Sequence, residues 1–300
     1  MKRLPLFIAL LVATSPMAAQ DQTGTFFERV LDLRMNYGVI GNITYSTASG
    51  YDCKLDVYQR RNAPAPVPVI VNIHGGGWVA GTKEANQMEI LPYIALGFSV
   101  VNVEYRMARI ALAPAAVEDC RLALRWVYKN AKTYNFDTSR IVITGGSAGG
   151  HLALMTGMLN PEAGFDASKE WDQETPPLPV AAIINWFGIT DVKDLLSGEN
   201  RQGYAVSWIG AQENGTKIAE RVSPLSYVRK GLPPIFTIHG TRDQLVPYAH
   251  ATRLHAALDK AGVTNKLFTI PDGRHGGFTR EQMSQIFTAI REFLTQHRIL

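Results

Sequence analysis

Four short stretches of the 300-residue chain hold residue types that could carry nucleophilic catalysis: GGSAGG around Ser147, HGGGW from His74 to Trp78, HGTRDQLVP with Asp243, and GRHGGF with His275. Gly145, Ser147 and Gly149 spell G-x-S-x-G between an apolar run, Ile141 to Thr144, and a helix-forming one. A serine presented on so sharp a strand-to-helix turn needs neighbours without side chains, and its hydroxyl then stands at a helix N-terminus that favours developing negative charge. Gly145 and Gly149 are expected to permit the turn, and Gly146 and Gly150 to permit close packing of turn and helix. Nucleotide-binding turns are also glycine-rich. However, Gly145, Ser147 and Gly150 do not supply G-x-G-x-x-G, and no P-loop lysine follows.

HGGGW supplies a second requirement. Attack on a carbonyl creates an oxyanion, which preorganised backbone N–H groups stabilise, and consecutive glycines let the backbone come close. Gly76 and Gly77, with Ala148 just after the serine, are the expected donors; His74 is expected to be structural. The serine also needs a base and the base an orienting acid, in the chain order Ser, Asp or Glu, His. His275 follows the last strand candidate in a loop loosened by Gly273, Gly276 and Gly277. His151, His239, His250, His255 and His297 fall within helices, at a strand end or at the C-terminus, where packing or solvation is the commoner role. Asp243, in the loop one strand earlier, is the expected acid; Asp191 is its rival, and Asp272 lies too close to His275 for an easy reach.

These residues must be positioned by a sheet. NITYSTASGYDCKLDVYQR alternates about Ser49-Gly50 and predicts a β-hairpin. Six apolar runs follow, in PVPVIVNIHGGGW, GFSVVNVEYR, RIVITGG, VAAIINWFG, PPIFTIHG and KLFTIPDG, and predict strands buried on both faces. Between them, Val117, Cys120, Leu124, Val127, Ala131 and Tyr134 draw an apolar stripe on a helix over 114–134, and further helices are expected at 151–159, 248–261 and 278–296. Alternating strands and helices imply a mostly parallel, eight-stranded-type α/β sheet covered on both faces. Segments 160–179 and 189–233 break the alternation and are candidate lid segments.

Residues 1–20 have a basic start (Lys2, Arg3), an apolar run from Leu4 to Thr14 and small residues at Ala18 and Ala19. That is the layout of a secretory signal peptide cleaved near Ala19 or Gln20, the run being too short for a stable membrane anchor. Export to the periplasm or the medium is expected, with 21–300 as one catalytic domain. Removing Lys2 and Arg3 from the 30 basic residues leaves 28 against 26 acidic, a charge of +2 too balanced and scattered for nucleic acid. Cys53 and Cys120 lack metal-site spacing; export permits a disulfide and sequence alone does not decide the pairing, but buried, unpaired thiols are the favoured expectation. No metal or cofactor is expected, and the oligomeric state is unreadable.

Together HGGGW, VEYR (103–106), AVEDCRLALRWV (116–127), GGSAGGHLA, HGTRDQLVP and GRHGGF resemble the α/β-hydrolase superfamily, in particular esterases related to hormone-sensitive lipase and the bacterial feruloyl or acetylxylan esterase-like group. The acid motif is not the D-x-L-x-D of the lipase branch and no large N-terminal cap precedes the first strand, so the likeness leans to the feruloyl-esterase-like group. It implies a Ser-His-Asp carboxylesterase acting on small-molecule or oligosaccharide esters, with short-chain, acetyl or feruloyl-type carbohydrate-linked esters as candidates. Trp78, Trp186 and Trp208 are candidates for the pocket wall, or for core. Arylformamidase-like enzymes, which also use HGG-x-W, stay open as an alternative. Prolyl-oligopeptidase-like peptidases usually carry an aromatic residue where this chain has Ala148, and non-catalytic binding proteins on the same fold typically lose a triad residue.

Overall fold

The computed structural model describes residues 27, 28, 30–166 and 178–300. The expected signal peptide lies outside these residues. The chain divides into one unit ending at Tyr37 and a second, Gly38–Leu300, which carries the sheet.

Eight strands form one sheet among the described residues: β1 (Tyr37–Ala48), β2 (Tyr51–Arg60), β3 (Val67–Ile73), β4 (Ser99–Val103), β5 (Phe136–Gly146), β6 (Ala182–Trp186), β7 (Ile235–Gly240) and β8 (Asn265–Ile270), in the order β1-β2-β4-β3-β5-β6-β7-β8. Ser49 and Gly50, both at positive φ, make the β1–β2 turn. β2 runs antiparallel to β4, and every pair from β4 through β8 is parallel. β3, β4 and β7 are buried along their whole length, as continuous apolar runs in a doubly covered sheet require.

Strand order reverses at β3: the chain leaves it for β4 on one side and returns to β5 on the other. Crossovers diverging from neighbouring strands leave a crevice at their carboxyl ends. The register pairs Ile73 with Gly145, so HGGGW and GGSAGG leave the sheet side by side at that crevice.

The longer helices are α1 (Ala115–Lys129), α2 (Ala148–Met158), α3 (Gly203–Ile209), α4 (Gly215–Arg221), α5 (Ala249–Lys260) and α6 (Arg280–Gln296). The stripe read over 114–134 is two pieces, because the helix stops at Asn130 and 131–134 form a separate turn. α1 is tied to the sheet by Asp119, fully buried, which accepts hydrogen bonds from the Arg106 backbone N–H (2.8 Å) and guanidinium (2.7 Å from Nη2). VEYR and AVEDCR therefore meet as one buried ion pair, whose disruption would strand a charge in the core. Cys53 and Cys120 are buried and unpaired.

Segment 189–233 is packed structure rather than a loose lid. It contains α3 and α4, whose Ala205, Trp208, Ile209 and Ala219 join the core. In 160–179, Phe165 is buried and Asp166 pairs with Arg121, while 167–177 lie outside the described residues. No helix among the described residues is long and apolar enough to cross a membrane.

Candidate active site

The turn after β5 is sharp. Ser147 sits at φ 57° and ψ −120°, a conformation that costs an L-residue strain and holds only where surroundings enforce it. They do so closely: a Cβ on Gly149 would lie 2.1 Å from the Ile73 carbonyl oxygen, and one on Gly145 2.4 Å from the same atom. The Ser147 N–H donates to the Trp186 carbonyl (2.9 Å), fixing the turn to β6. α2 begins at Ala148, earlier than the His151 expected from sequence, so its N-terminus points at the serine. Gly150 is needed for packing, since a Cβ would come 2.6 Å from Asn185 Oδ1. Gly146 is not: a Cβ there would make only ordinary contact with Phe187, and the residue lines the cavity instead.

HGGGW folds back on itself, the N–H groups of Val79 and Ala80 both donating to the Gly76 carbonyl (3.1 and 3.0 Å). Gly76 and Gly77 take positive φ, and a Cβ on Gly76 would come within 1.9 Å of the Ala80 carbonyl oxygen. The loop is anchored by Trp78, which is fully buried, stacks on Trp208 at 4.1 Å and donates from Nε1 to His151 Nδ1 (3.2 Å). His74 is also buried and stacks on Tyr105 at 4.4 Å, a structural placement. The backbone N–H groups of Gly76, Gly77 and Ala148 make no hydrogen bond among the described residues.

Asp243 and His275 come from the loops after β7 and β8. These loops are stitched by Arg242 N–H to the Gly273 carbonyl (2.8 Å) and Asp272 N–H to Thr241 Oγ1 (2.9 Å). His275 Nδ1 lies 2.7 Å from Asp243 Oδ2, while Oδ1 accepts the N–H groups of Leu245 and Val246, each at 2.9 Å. Burial alone would raise the Asp243 carboxyl, but hydrogen bonds from His239, His275 and the Val246 amide outweigh it and hold the group well below the usual carboxylate range. An ionised carboxylate only accepts, so Nδ1 of His275 carries a proton, and in the neutral imidazole Nε2 is then the acceptor. Phe187 packs edge-on to the imidazole at 4.6 Å.

The rivals are engaged elsewhere. Asp191 pairs with Arg253 (3.0 Å) and Asp272 with Arg242 (2.8 Å). His151 is buried between Trp78 and the Val222 carbonyl, and burial lowers its pKa to about 4. His250 sits between the Thr190 amide and Asp194, and His255 Nδ1 lies 2.5 Å from Asn265 Oδ1. Among the described residues no group of three or more His, Cys, Asp or Glu is placed to hold a metal ion.

Ser147, His275, Gly76 and Gly77 all line one cavity of about 830 Å³ at the carboxyl ends of the strands. Ser147 Oγ makes no hydrogen bond among the described residues; catalytic contacts commonly tighten only once substrate is bound. The cavity wall is largely aromatic, with Tyr93, Trp186, Phe187, Tyr204, Phe278 and Phe287, together with Met88 and Met283. Trp186 donates from Nε1 to the Tyr93 hydroxyl (3.1 Å), which in turn lies 3.2 Å from Thr144 Oγ1. Met283 and Phe287 stand one turn apart on α6, whose start is set by a Thr279–Gln282 capping box.

Of the three tryptophans weighed for the pocket, only Trp186 lines it; Trp78 and Trp208 have no exposed surface and belong to the core behind the glycine loop. Trp208→Ala should therefore cost about 3 to 5 kcal/mol of stability. Trp186→Ala should instead raise KM for bulky esters while moving the melting temperature less. Thermal denaturation and steady-state kinetics on the pair would check this, and a KM effect confined to Trp208→Ala would contradict it. Phe187, Phe278, Tyr93 and Tyr204 were not legible as wall residues, since only the fold brings their loops together. Tyr204 is the contribution of segment 189–233: it abuts Gly77 and donates its hydroxyl to the Leu245 carbonyl (2.8 Å). No described residue of 160–179 lines the cavity.

A family model described as BD-FAE matches residues 55–258. Among curated proteins the chain is similar to Esterase LipQ of Mycobacterium tuberculosis, 28% identical over 236 residues that cover 75% of this chain and 54% of that protein. It is also similar to Esterase LipC of the same organism, 27% identical over 203 residues, covering 66% and 50%. The chain thus spans about half the length of the curated relatives it matches. Among solved structures, a truncated carbohydrate esterase from gut microbiota superposes with a TM-score of 0.74 at 27% identity, covering 87% of this chain and 97% of that one. Esterase 2 of Thermogutta terrifontis, phosphoramylated by tabun, gives 0.73 at 27% identity, covering 88% and 96%.

Proposed function

The chain belongs to the BD-FAE family and has the α/β-hydrolase fold, and from that premise we propose that it is a serine carboxylic-ester hydrolase working through Ser147, His275 and Asp243. Support comes above all from the convergence, at one cavity, of a strained serine, an Asp-oriented imidazole and three unpaired backbone N–H groups. His275 Nε2 takes the Ser147 proton as Oγ bonds to the ester carbonyl carbon, and the oxyanion rests on the amides of Gly76, Gly77 and Ala148. Collapse breaks the bond to the alkoxy oxygen, which receives that proton from His275. Water, deprotonated by the same imidazole, then releases the acid and restores the serine.

The substrate is proposed to be a carbohydrate-linked ester with an aromatic acyl group of the feruloyl type, with acetyl esters turned over less efficiently. A cavity of about 830 Å³ with six aromatic side chains in its wall is larger than an acetyl group needs. The solved carbohydrate esterase among its structural neighbours supports the carbohydrate linkage alone. The N-terminal Lys2, Arg3 and apolar run support export to the periplasm or the medium.

A substrate panel tests this. kcat/KM should rank feruloyl sugar esters above acetylated xylan and p-nitrophenyl acetate, with formanilides and dipeptides far below. Cleavage of amides with no ester turned over would overturn the ester reading, and a preference for acetyl groups would overturn the aromatic one.

A further inference from the structure

His239, the penultimate residue of β7, has no place in the three-residue mechanism, yet it touches the acid. Its Nε2 lies 3.2 Å from Asp243 Oδ2 and 2.9 Å from the Val246 carbonyl oxygen. Both neighbours are acceptors, so Nε2 carries the proton and is shared between them. Nδ1 is buried without a hydrogen-bond partner, and the ring as a whole is fully buried, edge-on to Tyr248 at 5.7 Å.

The acid loop is therefore wound around this one imidazole. Asp243 and the Val246 carbonyl both meet its Nε2 and Tyr248 packs against the ring, while β7, buried along its whole length, carries it. The carboxylate is fixed by donors on both oxygens: Oδ1 by the amides of Leu245 and Val246, Oδ2 by His275 and His239. Two backbone donors on Oδ1 alone would leave the carboxylate free to rock about that oxygen. A donor from β7 on Oδ2 stops the rocking and so fixes the direction in which His275 Nδ1 is held.

We propose that His239 is a positioning residue, acting on catalysis by orienting the Asp243 carboxylate; this rests on the Ser147–His275–Asp243 reading. A histidine serving only to fill the core would be replaceable by any apolar side chain of similar volume. A positioning histidine is replaceable only by a side chain that returns an N–H to the same place. Glutamine does so, because its amide nitrogen falls near the position of Nε2. Asparagine does not, because its amide falls near Nδ1.

The experiment compares His239→Leu, His239→Gln, His239→Asn and Asp243→Asn on a p-nitrophenyl ester, with melting temperatures on the same preparations. The expected result is a fall in kcat of about 10- to 100-fold for His239→Leu, the effect of one lost hydrogen bond to a charged group, with KM within about 3-fold. His239→Gln should recover kcat to within about 3-fold of the parent. Should the leucine variant not fold, His239→Asn decides in its place and should be as slow as predicted for leucine. Equal kcat in the parent and His239→Leu or His239→Asn, alongside an inactive Asp243→Asn, would overturn the positioning role. So would His239→Gln as slow as His239→Leu. Full activity in Asp243→Asn would instead defeat the triad itself.

Discussion

Ser147→Ala is expected to lower kcat for short p-nitrophenyl esters by about 10⁴-fold or more, the scale seen when a nucleophile of this kind is removed. The amides of Gly76, Gly77 and Ala148, proposed to hold the oxyanion, remain, so a residue of catalysis over water should survive. Folding should be untouched, and for a physical reason. Ser147 Oγ makes no hydrogen bond among the described residues, so its loss leaves no partner stranded, and alanine bears the same positive φ at no greater cost. The melting temperature should stay within the range of neutral surface substitutions, about 0.5 kcal/mol either way. Activity would thus vanish from a protein as stable as the parent. Retention of more than about 1% of kcat would remove Ser147 from the mechanism.

Asp243→Asn should cost about 10⁴-fold in kcat, more than the loss of one hydrogen bond would suggest. The backbone N–H groups of Leu245 and Val246 hold Oδ1, so an asparagine oxygen must face them. Its NH₂ group is thereby forced onto the Oδ2 position, against N–H donors of both His275 and His239. His275 can relieve the conflict only by moving its proton to Nε2, which turns the proposed base into a donor. The variant also predicts a pH signature in stability. The folded carboxyl is held below its ordinary range, so its ionised form stabilises the fold above the unfolded pKa, and that contribution is lost as pH falls towards and through the folded value. Parent and variant should differ most near neutrality and converge in acid, as read by urea midpoints across the range. A constant gap at all pH would contradict the assignment of those hydrogen bonds to the charged form.

Much of the site was legible because its devices are local. GGSAGG, HGGGW, the Asp243 loop and the His275 loop each follow an apolar run, and a parallel sheet must bring such strand ends to one edge. What was not legible depends on contacts across the sequence. Gly149 and Gly150 are poor helix formers in isolation, yet the helix takes both in and begins at Ala148, directly after the strained Ser147. Trp78 sits beside Gly76 and Gly77 and invites a pocket role, but Trp208, from segment 189–233, stacks on it and takes it into the core. That same segment breaks the strand-helix alternation as a lid would, but its α3 and α4 bury Ala205, Trp208 and Ala219 in the core. His239 read as the last residue of a strand; nothing in its own neighbourhood of sequence says that the loop after it curls back to place Asp243 on its Nε2.

The claim that everything else depends on is that Ser147 is the nucleophile, and covalent labelling addresses it directly. Treatment with a fluorophosphonate, followed by mass spectrometry of the intact protein and its peptides, should find a single phosphonyl group on Ser147, with ester hydrolysis lost in step with labelling. Hydrolysis that continues with Ser147 fully labelled, or a label that settles on another residue as activity disappears, would contradict it.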